Sequence, residues 1–197
     1  MWDRRYDRPD YLFGTQPAAF LVQQAHLIPP SSEVLCVADG EGRNSVYLAE
    51  LGHTVTAFDA SEVGVTKARN LAKSKGVEAQ FEVSGVEEWD WSRQHDAVIA
   101  IFIQFAPPTL RKQIFKNMIQ SIRPGGLLLL HGYAPRQVEF GTGGPSQVDN
   151  MYTTELLQHS FAALEILRLE DYDAHIDEGE GHSGISGLVD LVARKIA

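Results

Sequence analysis

The residues best suited to chemistry lie between positions 34 and 59. An apolar run at 34–38 reads as a buried strand, because it is apolar on both faces of the pleat. It breaks into Asp39-Gly40-Glu41-Gly42, where glycines permit a tight turn and let a ligand approach the main chain. Apolar residues at helical spacing follow at 45–51, then Gly52 and a second strand at 54–58 ending on Asp59. Asp59 lies 19 residues past Gly40 (59 − 40), about the separation at which a second-strand acid grips a ribose diol in nucleotide-binding βαβ units. This spacing points to capture of a nucleoside cofactor.

The loop narrows the choice. A pyrophosphate needs bare amides, so Glu41 is a poor neighbour for one, and Ser45 stands at the last place of the G-x-G-x-x-G/A fingerprint. A sulfonium cofactor has no phosphate, is positively charged and tolerates acids. On these residues the sequence resembles the class I S-adenosylmethionine (SAM) methyltransferases, whose first motif is D/E-x-G-x-G-x-G. Cys36 and Ala38 stand where the family has its acid and first glycine, and in the family that acid helps to hold the methionine end of the cofactor. Phe58-Asp59-Ala60-Ser61 matches the second motif, and residues 95–100 resemble the fourth. Arg123-Pro124-Gly125-Gly126 ahead of an apolar run resembles the turn typical of these enzymes. Within class I, residues 11–17 (Tyr-Leu-Phe-Gly-Thr-Gln-Pro) and Glu41-Gly42-Arg43-Asn44 resemble the tellurite-resistance and thiopurine S-methyltransferase-like group, which methylates soft chalcogen nucleophiles.

The resemblance implies SAM as cofactor and S-adenosylhomocysteine (SAH) as product. It implies cofactor contacts from Ala38, Asp39, Gly40, Gly42, Asn44, Asp59, Ala60, Gly85, Val86 and Ile101. Gly85 stands where the family often presents an acid to the adenine amino group, so backbone amides around Gly85 and Val86 are expected to take that role. The aromatic and charged segment 2–13 is expected either to pack its rings on the domain surface or, as in related enzymes, to close over the cofactor as a flap.

Other elements must hold these loops in place. The spacing predicts a helix over 16–27 with Pro17 in its first turn, stopped by Pro29-Pro30. A helix over 62–75 is capped by Ser61 and ended by Gly76. Strands are expected at 78–83, 95–100 and 127–131, and helices at 109–122 and 153–160. A strand within 163–172 and another at 185–193 have no helix between them, so they must form an antiparallel hairpin. The expected fold is α/β: a seven-stranded class I methyltransferase (Rossmann-like) sheet with a C-terminal antiparallel hairpin and helices on both faces. One domain is expected over 1–197, with residues 1–30 forming the N-terminal flap and helix.

An acceptor should lie at the carboxyl ends of the fourth and fifth strands, beside the switch point. Those loops offer Gln104, Phe105, Tyr133 and Arg136 as substrate contacts. The Asn/Asp-Pro-Pro-Tyr of adenine and glutamine-amide methyltransferases is missing from 103–106. His131, at the end of the fifth strand, and His182, in a loop before the last strand, are the candidate bases, each weighed against a structural histidine. His53 reads as structural and Cys36 as buried and inert. Residues 141–145 lack the Lys-Ser/Thr of a phosphate loop and read as a mobile loop beside the acceptor. The acids between 170 and 180 read as a solvated face, with no metal expected.

The chain has 197 residues, 44% hydrophobic and 22% charged, enough for one ordinary core. A net charge of −9 disfavours a phosphate-backbone partner. The polar start and the lack of a long apolar run disfavour a signal peptide and a membrane span. One cysteine excludes an internal disulfide and agrees with a cytoplasmic setting. The expected function is SAM-dependent methyl transfer to a small-molecule acceptor such as a thiol. A SAM-binding protein without catalysis and a nicotinamide-dependent oxidoreductase stay open as alternatives.

Overall fold

In the computed structural model, which describes residues 2–196, helices and strands alternate from residue 19 to residue 83 and again from residue 95 to residue 133, with no helix in between. The order is α1 (Trp2–Tyr6), α2 (Ala19–Gln24), β1 (Glu33–Val37), α3 (Arg43–Glu50), β2 (Thr54–Asp59), α4 (Glu62–Lys75) and β3 (Gln80–Val83). Then come β4 (His95–Ile101), α5 (Pro108–Gln120), β5 (Ile122–Tyr133), α6 (Gln137–Phe140), α7 (Thr154–Ser160), β6 (Leu164–Asp177) and β7 (Ser183–Lys195). The strands form one sheet in the order β3-β2-β1-β4-β5-β7-β6. The first five pair in parallel, and β7 enters antiparallel between β5 and β6. This is the expected seven-stranded sheet with its terminal hairpin.

Period-2 alternation sorts the central strands into two cores. Leu35 and Val37 of β1 face Ile114 and Phe115 of α5 and Leu157 of α7 in one apolar cluster. Val34 and Cys36 face the opposite way, with Phe20 and Leu21 of α2 and Leu48 of α3. A sheet covered on both sides explains why β1 and β4 read as continuous apolar runs.

Local signals set most element ends. Ser61 caps α4 by accepting the Gly64 N–H at 3.0 Å, and Gly76 ends it at φ +69°. The N-terminal helix is shorter than its spacing predicts: Ala18 is extended, with its N–H donated to Asn44 Oδ1 at 3.0 Å, so α2 begins at Ala19. The turn at 123–126 is absorbed into β5 as a bulge, since His95 pairs with Ile122 and Ala97 with Leu127. β6 runs well past its expected end at 172 and β7 starts two residues before its expected 185, carrying the hairpin tip at 177–183 back over the sheet's carboxyl edge.

Candidate functional site

Between β1 and β4 the sheet reverses its winding, and the strand ends there open onto a cavity of about 400 Å³. Its wall combines the loops after β1, β2, β3 and β4, the end of β5, the hairpin tip and the N-terminal segment. Ala38, Asp39, Gly40, Asn44, Asp59, Ala60, Gly85, Val86 and Ile101, all assigned to the cofactor, line it. So do Gln104, Phe105, Tyr133 and His182.

Three assigned residues are elsewhere. Gly42 sits at φ +88° as the residue before α3, and a Cβ there would meet Ala68 Cβ of α4 at 2.6 Å, so it permits helix packing. His131 is 2% exposed; its Nδ1 lies 2.7 Å from Asp190 Oδ1, and its ring stacks on Phe20 at 4.9 Å. Asp190 also accepts from Arg168 and Tyr172, so His131 belongs to a buried structural network. Arg136 pairs with Asp171 and Asp173 across the sheet edge. Those two acids are therefore not simply solvated, and Glu178 departs further from an acidic face by being buried against Arg43. The loop 141–145 is tied down through a bridge from Gly143 to His182 and a Thr142 hydroxyl donating to Ile185 O at 2.6 Å.

Asp59 organises the glycine loop. Its Oδ2 accepts the Gly40 N–H at 2.9 Å and its Oδ1 the Ser61 N–H at 2.8 Å, while burial raises its pKa. Gly42 N–H is donated to Asp39 O at 3.3 Å. The glycine loop therefore spends these amides internally, which leaves a poor cradle for a pyrophosphate and suits a cofactor without one. Glu41, read as hostile to phosphate, does something else. Its Oε2 accepts the Leu12 N–H at 2.8 Å and its Oε1 pairs with Lys67 Nζ at 2.5 Å. Lys67 also donates to the carbonyls of Tyr6, Arg8 and Asp10. These contacts latch residues 2–14 across the cavity mouth.

Several cavity residues carried no individual signal in the sequence, although Tyr6 and Phe13 belong to the aromatic segment expected either to pack on the surface or to close as a flap. Tyr6 lies over the loop so closely that a Cβ on Gly40 would be 2.7 Å from its hydroxyl. Glu88 folds its carboxylate onto Gly85 and leaves no room for a Cβ there, so an acid does stand near the expected adenine end. Phe102 holds φ +55°, a strained conformation for a bulky side chain and of the kind that gathers at ligand sites. Its ring meets His182 at 4.2 Å, His182 meets Phe13 at 4.4 Å, and Tyr133 completes the cluster at 5.5 Å. Inside this ring cluster, His182 Nδ1 and the Tyr133 hydroxyl are buried without hydrogen-bond partners among the described residues. Burial, then Arg43 and His131, drive the His182 pKa well below its usual value, so its imidazole is neutral at pH 7.

Ala38 adds a testable detail. It takes the place of the motif glycine yet holds φ +48°, a left-handed conformation that costs an L residue about 1–2 kcal/mol. Ala38→Gly is expected to be neutral or stabilising by up to about 1 kcal/mol, read from the urea midpoint. A clear loss would mean that the methyl group's packing against the core outweighs the strain.

Residues 34–126 match the family model described as "Methyltransferase domain". This stretch of the chain is thus similar to methyltransferase domains. Among curated proteins, it is 31% identical to the ubiquinone biosynthesis O-methyltransferase of Rickettsia conorii over 98 residues, which is 50% of this chain and 34% of that protein. It is 33% identical to glycine N-methyltransferase of Rattus norvegicus over 113 residues, 49% of this chain and 39% of the relative. The chain thus spans well under half the length of these relatives. Among solved structures, TehB from Haemophilus influenzae superposes with a TM-score of 0.74 at 19% identity, over 98% of this chain and 65% of that one. A structure described with the conversion of a disulfide bond into a thioacetal group during echinomycin biosynthesis gives 0.79 at 19% identity, over 99% and 90%. At that identity both likenesses speak for the fold alone.

Proposed function

We propose that this methyltransferase domain transfers the methyl group of SAM to the sulfur of a small thiol, or to a related chalcogen compound. The observation that supports this reading is the continuity of the cavity. The wall that begins at Asp59 and Gly85 ends at Phe13, Phe102, Tyr133 and His182, so a nucleoside and a small acceptor share one chamber. Bound SAM supplies a methyl carbon already activated by a sulfonium. The protein must then align the acceptor and keep water out, and alignment provides most of the rate in such a displacement.

The proton argues for sulfur. His182 is too weak a base to strip an ammonium ion, so an amine acceptor is poorly served. A thiol ionises near neutral pH and needs only a modest acceptor for its proton. His182 Nδ1, without a partner among the described residues, is placed to take that proton, and the Tyr133 hydroxyl, kept neutral by burial, is placed to orient the acceptor. Gln104 supports Tyr133 from behind. Its side chain donates to Tyr133 O at 2.8 Å and accepts the Tyr133 N–H at 2.6 Å, so its amide is consumed in holding that residue.

The test is a panel of thiols with alcohols and amines of the same shape, assayed for SAH and for the mass of the methylated product. Turnover confined to thiols supports the reading, while equal rates with amines or alcohols sink it. Replacing His182 by Gln is expected to lower kcat by about 100-fold for a thiol of ordinary pKa. The loss should shrink for an acidic aryl thiol that arrives already ionised.

A further inference from the structure

Asp39 has a charge problem that its protein partners do not solve. The residue is half-buried and lines the cavity. It accepts one side-chain hydrogen bond, from Ser45 Oγ at 2.5 Å. The other groups facing it are Asp59 at the end of β2, Arg43 on α3, Tyr6 on α1 and Cys36 on β1. Asp59 repels it. Arg43, the cation of the set, donates Nη2 to Glu178 at 2.8 Å in a buried pair directed at the hairpin tip. Cys36 packs in the core on the α2 and α3 side, and has neither charge nor access to the cavity wall. The left-handed turn at Ala38 and the bond from Asp39 N–H to Phe58 O, 3.1 Å, hold Asp39 in the chamber instead.

A carboxylate fixed in a cofactor chamber without a dedicated counter-ion among the described residues calls for a cation on the ligand. Resting on the assignment of this cavity to SAM, we propose that Asp39 binds the α-ammonium of the cofactor's amino-acid end. The acid of the first motif has thus moved three residues along the chain, from a position buried in the core to one on the cavity wall.

The proton balance agrees with that placement. Desolvation pushes the Asp39 pKa up to about 7; the Ser45 hydrogen bond opposes this and Asp59 adds to it. In the free protein a raised carboxyl pKa gives stability that is lost as pH rises through the folded value. Ammonium binding demands the reverse, since the proton must leave before the pair can form. Affinity for any ligand carrying the ammonium should therefore rise with pH across neutrality.

The experiment is calorimetric titration of the wild-type protein with SAH and with 5′-methylthioadenosine, which shares the nucleoside but lacks the amino-acid end, at pH 6 and pH 8. SAH should bind about tenfold more weakly at pH 6, beyond any change shown by methylthioadenosine. The second ligand absorbs the titration of Asp59, which faces the ribose. Asp39→Asn should weaken SAH by about 10- to 100-fold, remove its excess pH dependence and leave methylthioadenosine within about twofold. If the two ligands follow pH together, or the variant weakens both alike, Asp39 does not hold the ammonium. Binding of neither ligand to the wild type would overturn the cofactor assignment itself. The wild-type comparison stands even if the variant fails to fold.

Discussion

Replacing Asp59 with Ala is expected to weaken SAH binding by at least about 100-fold. A hydrogen bond to a charged group contributes about 1.5–3 kcal/mol, and a ribose diol offers two donors to one carboxylate. The substitution also strips the Gly40 and Ser61 N–H groups of their acceptor, so the glycine loop loses the contact that sets its shape. Two effects, one on the ligand and one on the loop, therefore act in the same direction. Asp59→Asn separates them, because the amide oxygen can still satisfy one N–H while the charge is gone. Calorimetry on both variants, with thermal melts to follow the fold, measures the difference. Binding within tenfold of wild type in the Ala variant would show that the ribose lies elsewhere.

Glu178→Ala is expected to cost about 3–5 kcal/mol of stability, because it leaves the Arg43 guanidinium buried without its counter-charge. Both side chains of the pair are 7% exposed, and their contact is 2.8 Å. Glu178 also accepts the Ala19 N–H at 3.1 Å, so the same residue joins the hairpin tip, α3 and the start of α2. Replacing both partners by apolar residues, Arg43→Met with Glu178→Leu, should recover most of the loss, since the desolvation of two charges is removed along with their attraction. Urea unfolding of the two single variants and the double variant gives the coupling between the sites. A loss below about 1 kcal/mol in Glu178→Ala would mean that the tip swings open and lets water reach Arg43. Hydrogen exchange at residues 178–182 would then rise to match.

That pair also shows how far local pattern reaches. Glu178 stands in a run of acids that reads as a solvated face, and no spacing rule connects it to Arg43, 135 residues away. Arg136 illustrates the opposite error: it follows a strand at the expected acceptor loop, yet the long hairpin supplies Asp171 and Asp173 to hold it outside. The two histidines were equal as candidates on sequence. Strand register decided between them, turning His131 toward Asp190 of β7, while the hairpin tip carried His182 into the cavity. Tyr6, Phe13 and Glu88 lacked any signal that could name their partners.

What depends on near neighbours was legible in the amino-acid order. Apolar runs and caps marked the strands and helices, the spacing from Gly40 to Asp59 anticipated that both meet at the cavity, and the missing crossover made the last two strands a hairpin. Each of these follows from backbone sterics, side-chain period and short connections, all written within a few turns of chain. Tertiary packing settled which histidine faces the cavity, which acid lies against Gly85, and what closes the mouth. Those outcomes depend on the face to which a strand end points and on contacts between residues more than a hundred positions apart. Neither is encoded in local periodicity, because one step along a strand reverses the direction of a side chain and a distant partner leaves no mark on the spacing.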